Sequence, residues 1–336
     1  MKLRTSLVAA LSAALLCLPV AVPATTVPAT AAPATAALAT AAPATARVVP
    51  AAPAPVAASG RVGGAASGLG APVYRKLQTT TKRVPVTVQV TRPRHQKVSL
   101  QRKDSGRWRT VSSTRAPRTG VRATVKLKVP AKAGHRAYRV VLAASPSSKK
   151  RVSSSFKIFQ SDAKKHAKYV AKARKYIKRY CPSTPIYIDS PSVKGTWAIG
   201  MAWTTWQWRG RWSGRAWAYD WTWSQTIELA SGLSDAQLRH TALHECAHIV
   251  QARPIGRSQA AYDASVATEE KIFAGGGEES HEQQADCMAS AITGSTRYNY
   301  YTSSCGGARG KNAKAMWKKW GKKYLDPERS WTTRTV

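Results

Sequence analysis

Apolar residues recur at every second position in short runs that begin with Val84-Pro85-Val86-Thr87-Val88-Gln89-Val90 and continue over residues 97–102, 107–111, 121–129, 137–142 and 155–158. Such alternation, broken by Gly, Pro and Ser, predicts half-buried strands, and their density predicts a small β-sandwich. Beyond Ser161 the pattern lengthens. Ala163, Ala167, Val170, Ala171 and Ile177 fall on or near one helical stripe, so residues 162–180 are expected to form a helix capped by Ser161 or Asp162 and ended by Cys181-Pro182. Trp217, Tyr219, Trp221 and Trp223 share parity and on a strand would project from one face, after a hairpin turning near residues 209–214. Further helices are expected over residues 235–251, across the Glu282–Asp286 region, and over residues 311–323, the last basic and amphipathic. Residues 257–280, with Gly275-Gly276-Gly277, read as a long connection, either a flap or a surface excursion.

The first residues carry Lys2 and Arg4, then an apolar stretch from Leu7 to Leu18, then small residues around Val22-Pro23-Ala24. This is the layout of a secretory signal over 1–24, which would remove Cys17 and leave a mature chain without a membrane span. Residues 25–72 are Ala-, Pro- and Thr-rich, then Gly- and Ser-rich, and are expected to be a disordered tether. The resulting organisation is multidomain: an all-β sandwich over 73–160 and an α+β domain with active-site helices over 161–336.

Composition sharpens this division. The 336 residues carry 53 Lys+Arg against 16 Asp+Glu, a formal charge of +37. Residues 73–161 alone hold 23 cations and a single acid, Asp104. A module so one-signed is expected either to hold an anionic polymer, such as wall teichoic acid or an acidic glycan, or to serve as a solvated spacer. Export argues against nucleic acid as that partner. Residues 235–286 reverse the balance, with nine of the sixteen acids and four Lys+Arg.

That acidic segment contains the clearest chemistry. His244-Glu245-Cys246-Ala247-His248 sets two imidazoles four residues apart on a helix, on one face and within reach of one ion, with Glu245 beside them. A catalytic zinc takes three protein ligands and leaves one position open. Glu282 and Asp286 stand four apart on the second expected helix, so one can coordinate metal while the other accepts a hydrogen bond from a ligating imidazole. His281 is an alternative third ligand. The additional donor for a transition state is not selected by spacing among Tyr298, Tyr300, Tyr301 and His240. The tryptophan-rich strands, with Trp217, Tyr219 and Trp221, read as a small core, as a substrate-binding aromatic platform, or as both.

The paired motifs, with Glu282-Gln283-Gln284-Ala285-Asp286-Cys287 as the second, resemble those of gluzincin zinc metallopeptidases, and more narrowly of small secreted bacterial ones. The resemblance spans about residues 215–295. It implies Zn2+ held by His244, His248 and Glu282, Glu245 as general base toward a peptide or protein substrate, and Asp286 orienting a histidine, His244 above all. It also implies a substrate-aligning strand, for which residues 216–229 are the candidate. The run 98–111 around Trp108 resembles immunoglobulin-like modules of secreted wall proteins. The competing expectation is a catalytically idle, wall- or polyanion-binding protein with a degenerate peptidase domain.

Four cysteines remain in the mature chain, Cys181, Cys246, Cys287 and Cys305. An even number in an exported domain predicts two disulfides, with three pairings open. Cys246 with Cys287, stapling the two motif helices, and Cys181 with Cys305 are the favoured expectation.

Overall fold

The computed structural model describes residues 68–81, 83, 85–212, 217–324 and 332–335, without the side chains of 206–222 and 332–335. The expected signal segment and nearly all of the tether lie outside the described residues.

The amino-terminal part consists of β1 (Gly68–Leu69), β2 (Leu77–Thr79), β3 (Pro85–Thr91), β4 (Lys97–Asp104), β5 (Arg107–Arg115), β6 (Arg122–Lys128), β7 (Gly134–Leu142), β8 (Arg151–Val152) and β9 (Phe156–Ser161). One sheet runs β1-β3-β6; the other runs β2-β9-β7-β4-β5, with β8 against β7. Alternate residues of both sheets, among them Val86, Val88, Leu127, Leu100, Tyr138 and Ile158, share one core. The tether is therefore shorter than expected, because Gly68 and Leu69 pair with Thr91 and Val90, and Leu69 packs on that core. Trp108 stays outside it, its ring 4.4 Å from the Arg139 guanidinium.

The carboxy-terminal part follows as α1 (Ala167–Ile177), β10 (Ile186–Ile188), β11 (Gly200–Trp212), β12 (Trp217–Leu229), α2 (Asp235–Gln251), α3 (Gln259–Ile272), α4 (Gly277–Thr293), α5 (Gly307–Trp320) and β13 (Thr332–Thr335). It is a mixed sheet with helices gathered around a second core. No described helix is long and apolar enough to cross a membrane. The two parts touch: Ile188 N donates to Ser161 Oγ at 3.2 Å, and Ala163 N donates to Thr80 Oγ1 at 3.1 Å.

Several elements differ from expectation for identifiable reasons. The first helix begins at Ala167, because the Asp162 carboxylate accepts from Lys164 N and Lys165 N, both at 3.0 Å, and holds a separate turn ahead of it. Most of the supposed connection 257–280 is α3, started by Ser258, whose hydroxyl accepts from Ala261 N at 3.1 Å. The hairpin runs slightly further than expected, pairing Trp212 with Trp217. β12 pairs with β11 along its length, with β10 in parallel at residues 227–229, and with β13 at 217–220.

The disulfides join Cys181 to Cys246 and Cys287 to Cys305, which corrects both favoured pairings. Helical geometry explains the error. Cys246 is two residues past His244, about 200° round α2, and so faces away from the side that meets α4. It looks instead toward the end of α1, where Cys181 lies with Cα atoms 6.1 Å apart. Cys287 reaches the loop before α5, at 5.1 Å.

A buried arginine completes this core. Arg253 donates to the carbonyls of Tyr180, Trp320 and Gly321 at 2.5–3.0 Å, tying the ends of α1 and α5 to the turn after α2. Burial draws its pKa down to about 10. Arg253→Ala would orphan those carbonyls, and since an unmet buried acceptor costs about 1–3 kcal/mol, we expect a loss of about 3 kcal/mol in chemical denaturation of the full chain. A change within about 0.5 kcal/mol, the range of ordinary surface substitutions, would show that water replaces the arginine.

Candidate metal centre

α2 starts on a capping box, Ser234 with Gln237, and is buried around most of its circumference. α4 starts at Gly277 after two glycines with positive φ and packs along α2. Because residues four apart stack on one helical face, α2 presents His244 and His248 to α4, and α4 presents Glu282 and Asp286 in return.

The polar contacts assign the protons. His244 Nδ1 lies 2.9 Å from Asp286 Oδ1, and His248 Nδ1 lies 2.8 Å from Gln251 Oε1. The Gln251 amide is fixed by Nε2, which donates to His281 O and Gln284 Oε1, both at 2.8 Å. Its oxygen can therefore only accept, and a carboxylate accepts likewise, so both imidazoles carry their protons on Nδ1. Both Nε2 lone pairs then face inward, 3.1 Å apart, and lie 3.0 and 3.2 Å from Glu282 Oε2. Three electron-rich atoms at this separation need a cation between them, either protons or a metal.

A metal fits. Tetrahedral zinc with bonds of about 2.0–2.1 Å sets neighbouring ligand atoms about 3.3–3.4 Å apart. The observed triangle is within a few tenths of an ångström of that. Electrostatics point the same way, since among the described residues the side chains that favour charge on Glu245, Glu282 and Asp286 are histidines. Although burial opposes ionisation, His248 and His244 hold the Glu282 carboxyl far below its ordinary range. Burial likewise opposes charge on His244, yet Asp286 and Glu282 raise its pKa well above the usual value. Asp286 is ionised against its own burial by the His240 and His244 rings. Its second oxygen accepts from the backbone N–H groups of Tyr300, Tyr301 and Thr302 at 2.9, 2.7 and 3.2 Å.

Glu245 belongs to the same site without joining the triangle. Burial pushes its carboxyl up to about 7. It lies against Gly200, the first residue of β11, where an added Cβ would overlap both its carboxylate and the Thr241 methyl. The start of β11 thus reaches Glu245.

The other expected residues separate clearly. His281 Nδ1 is 3.2 Å from both oxygens of Glu269, on α3, and its ring stacks on His248 at 5.3 Å. The Tyr301 ring stacks on His244 at 6.1 Å, and burial with the nearby carboxylates raises its pKa. Tyr298 lies by His240, whose two ring nitrogens are buried without hydrogen-bond partners, Nε2 being 3.9 Å from Asp286 Oδ1. Tyr300 is exposed and stacks with exposed Trp197 at 6.3 Å, so an aromatic wall leads from His244 to solvent through Tyr301, Tyr300 and Trp197. The side chains of Trp217, Tyr219 and Trp221 lie outside the described residues.

Gln251 and Gly200 went unnoticed in the sequence, whereas Trp197 is one of the eight tryptophans of residues 197–223 from which the aromatic platform was expected. Of the first two, Gln251 alone had a usable signal, three residues beyond His248 on the same helix and so within reach of its ring. Comparison of the chain with family models, curated proteins and solved structures returns no match.

Proposed function

We propose that the protein is a secreted zinc metallopeptidase of gluzincin type that hydrolyses peptide bonds. The observation carrying this reading is the convergence of His244 Nε2, His248 Nε2 and Glu282 Oε2 at 3.0–3.2 Å, with the Glu245 carboxyl seated beside them. His244, His248 and Glu282 would hold the ion. Zinc so bound supplies Lewis acidity toward the scissile carbonyl and a nucleophile available at neutral pH.

The chain's own residues supply the rest. Glu245, with a carboxyl near 7, suits acceptance of a proton from the attacking water and its return to the leaving amine. A dication on the adjacent triangle would draw that value down and favour the base form. Asp286 and Gln251 keep the two imidazoles in the ligating tautomer. Tyr301, packed on His244, is the hydroxyl we assign to steady the developing oxyanion. Trp197 and Tyr300 form an apolar approach on which a substrate side chain packs.

The test combines metal content with cleavage. Purified protein is expected to contain close to one zinc per chain, to cleave an unstructured protein such as casein, to stop with a chelator and to resume on added zinc. Zinc without cleavage of any of a broad peptide library would favour the idle-domain reading; correctly folded protein that takes up no zinc would overturn the metallopeptidase reading.

A narrower expectation concerns Gly200. In Gly200→Ala the new methyl must displace Glu245, and a shift of about 1 Å in a catalytic group costs about a hundredfold. Zinc content should remain while kcat/KM falls by about that factor. Unchanged kcat/KM would mean that Glu245 acts from another position.

A further inference from the structure

The core-facing rows of β4 and β7 are apolar through Val98, Leu100, Val140 and Leu142. At one end of the sandwich the same rows turn cationic. Inward positions are two residues apart, so Arg102 succeeds Leu100 on β4, and Arg136 precedes the buried Tyr138 on β7. The adjoining ends of β4 and β5 and the segment before β7 add Lys103, Arg109 and Lys132, lining a depression of about 430 Å3.

One acid, Asp104, lines this depression, and it is already taken. Arg102 holds its carboxylate with Nε and Nη2 at 2.7–3.0 Å, and that contact keeps the Asp104 pKa low. Lys103, Arg109, Lys132 and Arg136 therefore face the depression without a carboxylate of their own in its lining. Arg136 donates through Nη2 to Ala133 O at 2.9 Å, while its Nε is buried with no partner. Neighbouring Arg139, by contrast, is engaged, donating to Gln101 at 2.8 Å and stacking on Trp108. Lys103, Arg109 and Lys132 are exposed and Arg136 is half-buried, so their like charges converge around an open depression where an anion relieves the mutual repulsion.

We propose that this depression seats the phosphate groups of an anionic polyol-phosphate polymer. Donors arrive from three directions, the β4–β5 hairpin, the segment before β7 and β7 itself. A tetrahedral phosphate offers acceptors to all three, whereas the one carboxylate present satisfies a single guanidinium edge-on. Of the 23 Lys and Arg in residues 73–161, 18 lie beyond the five that line the depression, which suits a repeating polyanion over a lone ion. No aromatic ring lines the depression, so nothing there stacks on a nucleobase. This inference is independent of the metal centre.

The test measures binding of the full chain to labelled poly(glycerol phosphate) by fluorescence anisotropy across a salt series. Lys132→Gln with Arg136→Gln is compared with Arg122→Gln with Lys126→Gln, which removes equal charge from exposed positions on the other sheet. The first pair should weaken binding about tenfold or more, the second about twofold to threefold. Lys132→Gln alone, at an exposed side chain, covers the case in which the pair unfolds, and should weaken binding about threefold. Equal loss in both pairs would overturn the site in favour of diffuse attraction. Polyglutamate or single-stranded DNA binding as tightly, per charge, would overturn the polyol-phosphate assignment; so would inorganic phosphate competing at concentrations equal to those of polymer phosphate.

Discussion

Glu245→Gln is expected to abolish peptide hydrolysis while leaving zinc in place. The amide is nearly isosteric with the carboxyl it replaces, so packing against Gly200 and Thr241 survives. It supplies no ligand to the His244–His248–Glu282 triangle, so metal content should stay near one per chain. What disappears is a group able to take a proton and give it back. Positioned acid–base groups contribute about 10²–10⁴-fold, and one that both activates the nucleophile and protonates the leaving amine belongs at the upper end, so kcat should drop about a thousandfold or more. KM should move little, because the aromatic wall of Tyr301, Tyr300 and Trp197 is untouched. Activity within a few-fold of wild type, with zinc retained, would remove Glu245 from the chemistry and leave a metal site without its proposed base.

Legibility from sequence varied with the kind of constraint. Strands of the amino-terminal part were readable because one face of each is buried and the other solvated, which stamps a two-residue period on the chain. α2 was readable from its start, Ser234 with Gln237, and from the His-Glu-x-x-His spacing, although burial around most of its circumference leaves little amphipathic contrast. α3 was missed: Gln259–Ile272 is rich in Ala with few bulky apolar residues, and Ser258 was its one clear signal. The disulfide pairings were illegible for a different reason, since sequence separation does not say which side of a helix faces which neighbour. Gly200 shows the limit most plainly. A glycine opening a strand is unremarkable until the carboxylate lying where its side chain would stand is seen.

Glu282→Ala, set beside His281→Ala, discriminates the ligand set directly. Both residues stand on α4, adjacent in sequence, and either supplies a donor type that zinc accepts. The structure distinguishes their surroundings. Glu282 Oε2 lies 3.0 and 3.2 Å from the two Nε2 atoms, whereas His281 Nδ1 is occupied by Glu269 at 3.2 Å. Removing groups that merely support a ligand typically costs 10–100-fold in metal affinity, so deleting the carboxylate itself should cost at least about a hundredfold. Zinc should then be lost on dialysis from Glu282→Ala at concentrations where wild type stays loaded. Its loss also leaves two imidazole lone pairs facing each other 3.1 Å apart, so Glu282→Ala should bind protons where the wild type is proposed to bind zinc. His281→Ala should keep its zinc within a few-fold, because the Gln251 amide that orients His248 contacts the backbone carbonyl of residue 281, which the substitution preserves. The reverse order, zinc lost from His281→Ala and kept in Glu282→Ala, would require α4 to be rotated by about 100° relative to α2, one residue's worth of helical turn. Such a rotation would also withdraw Asp286 from His244.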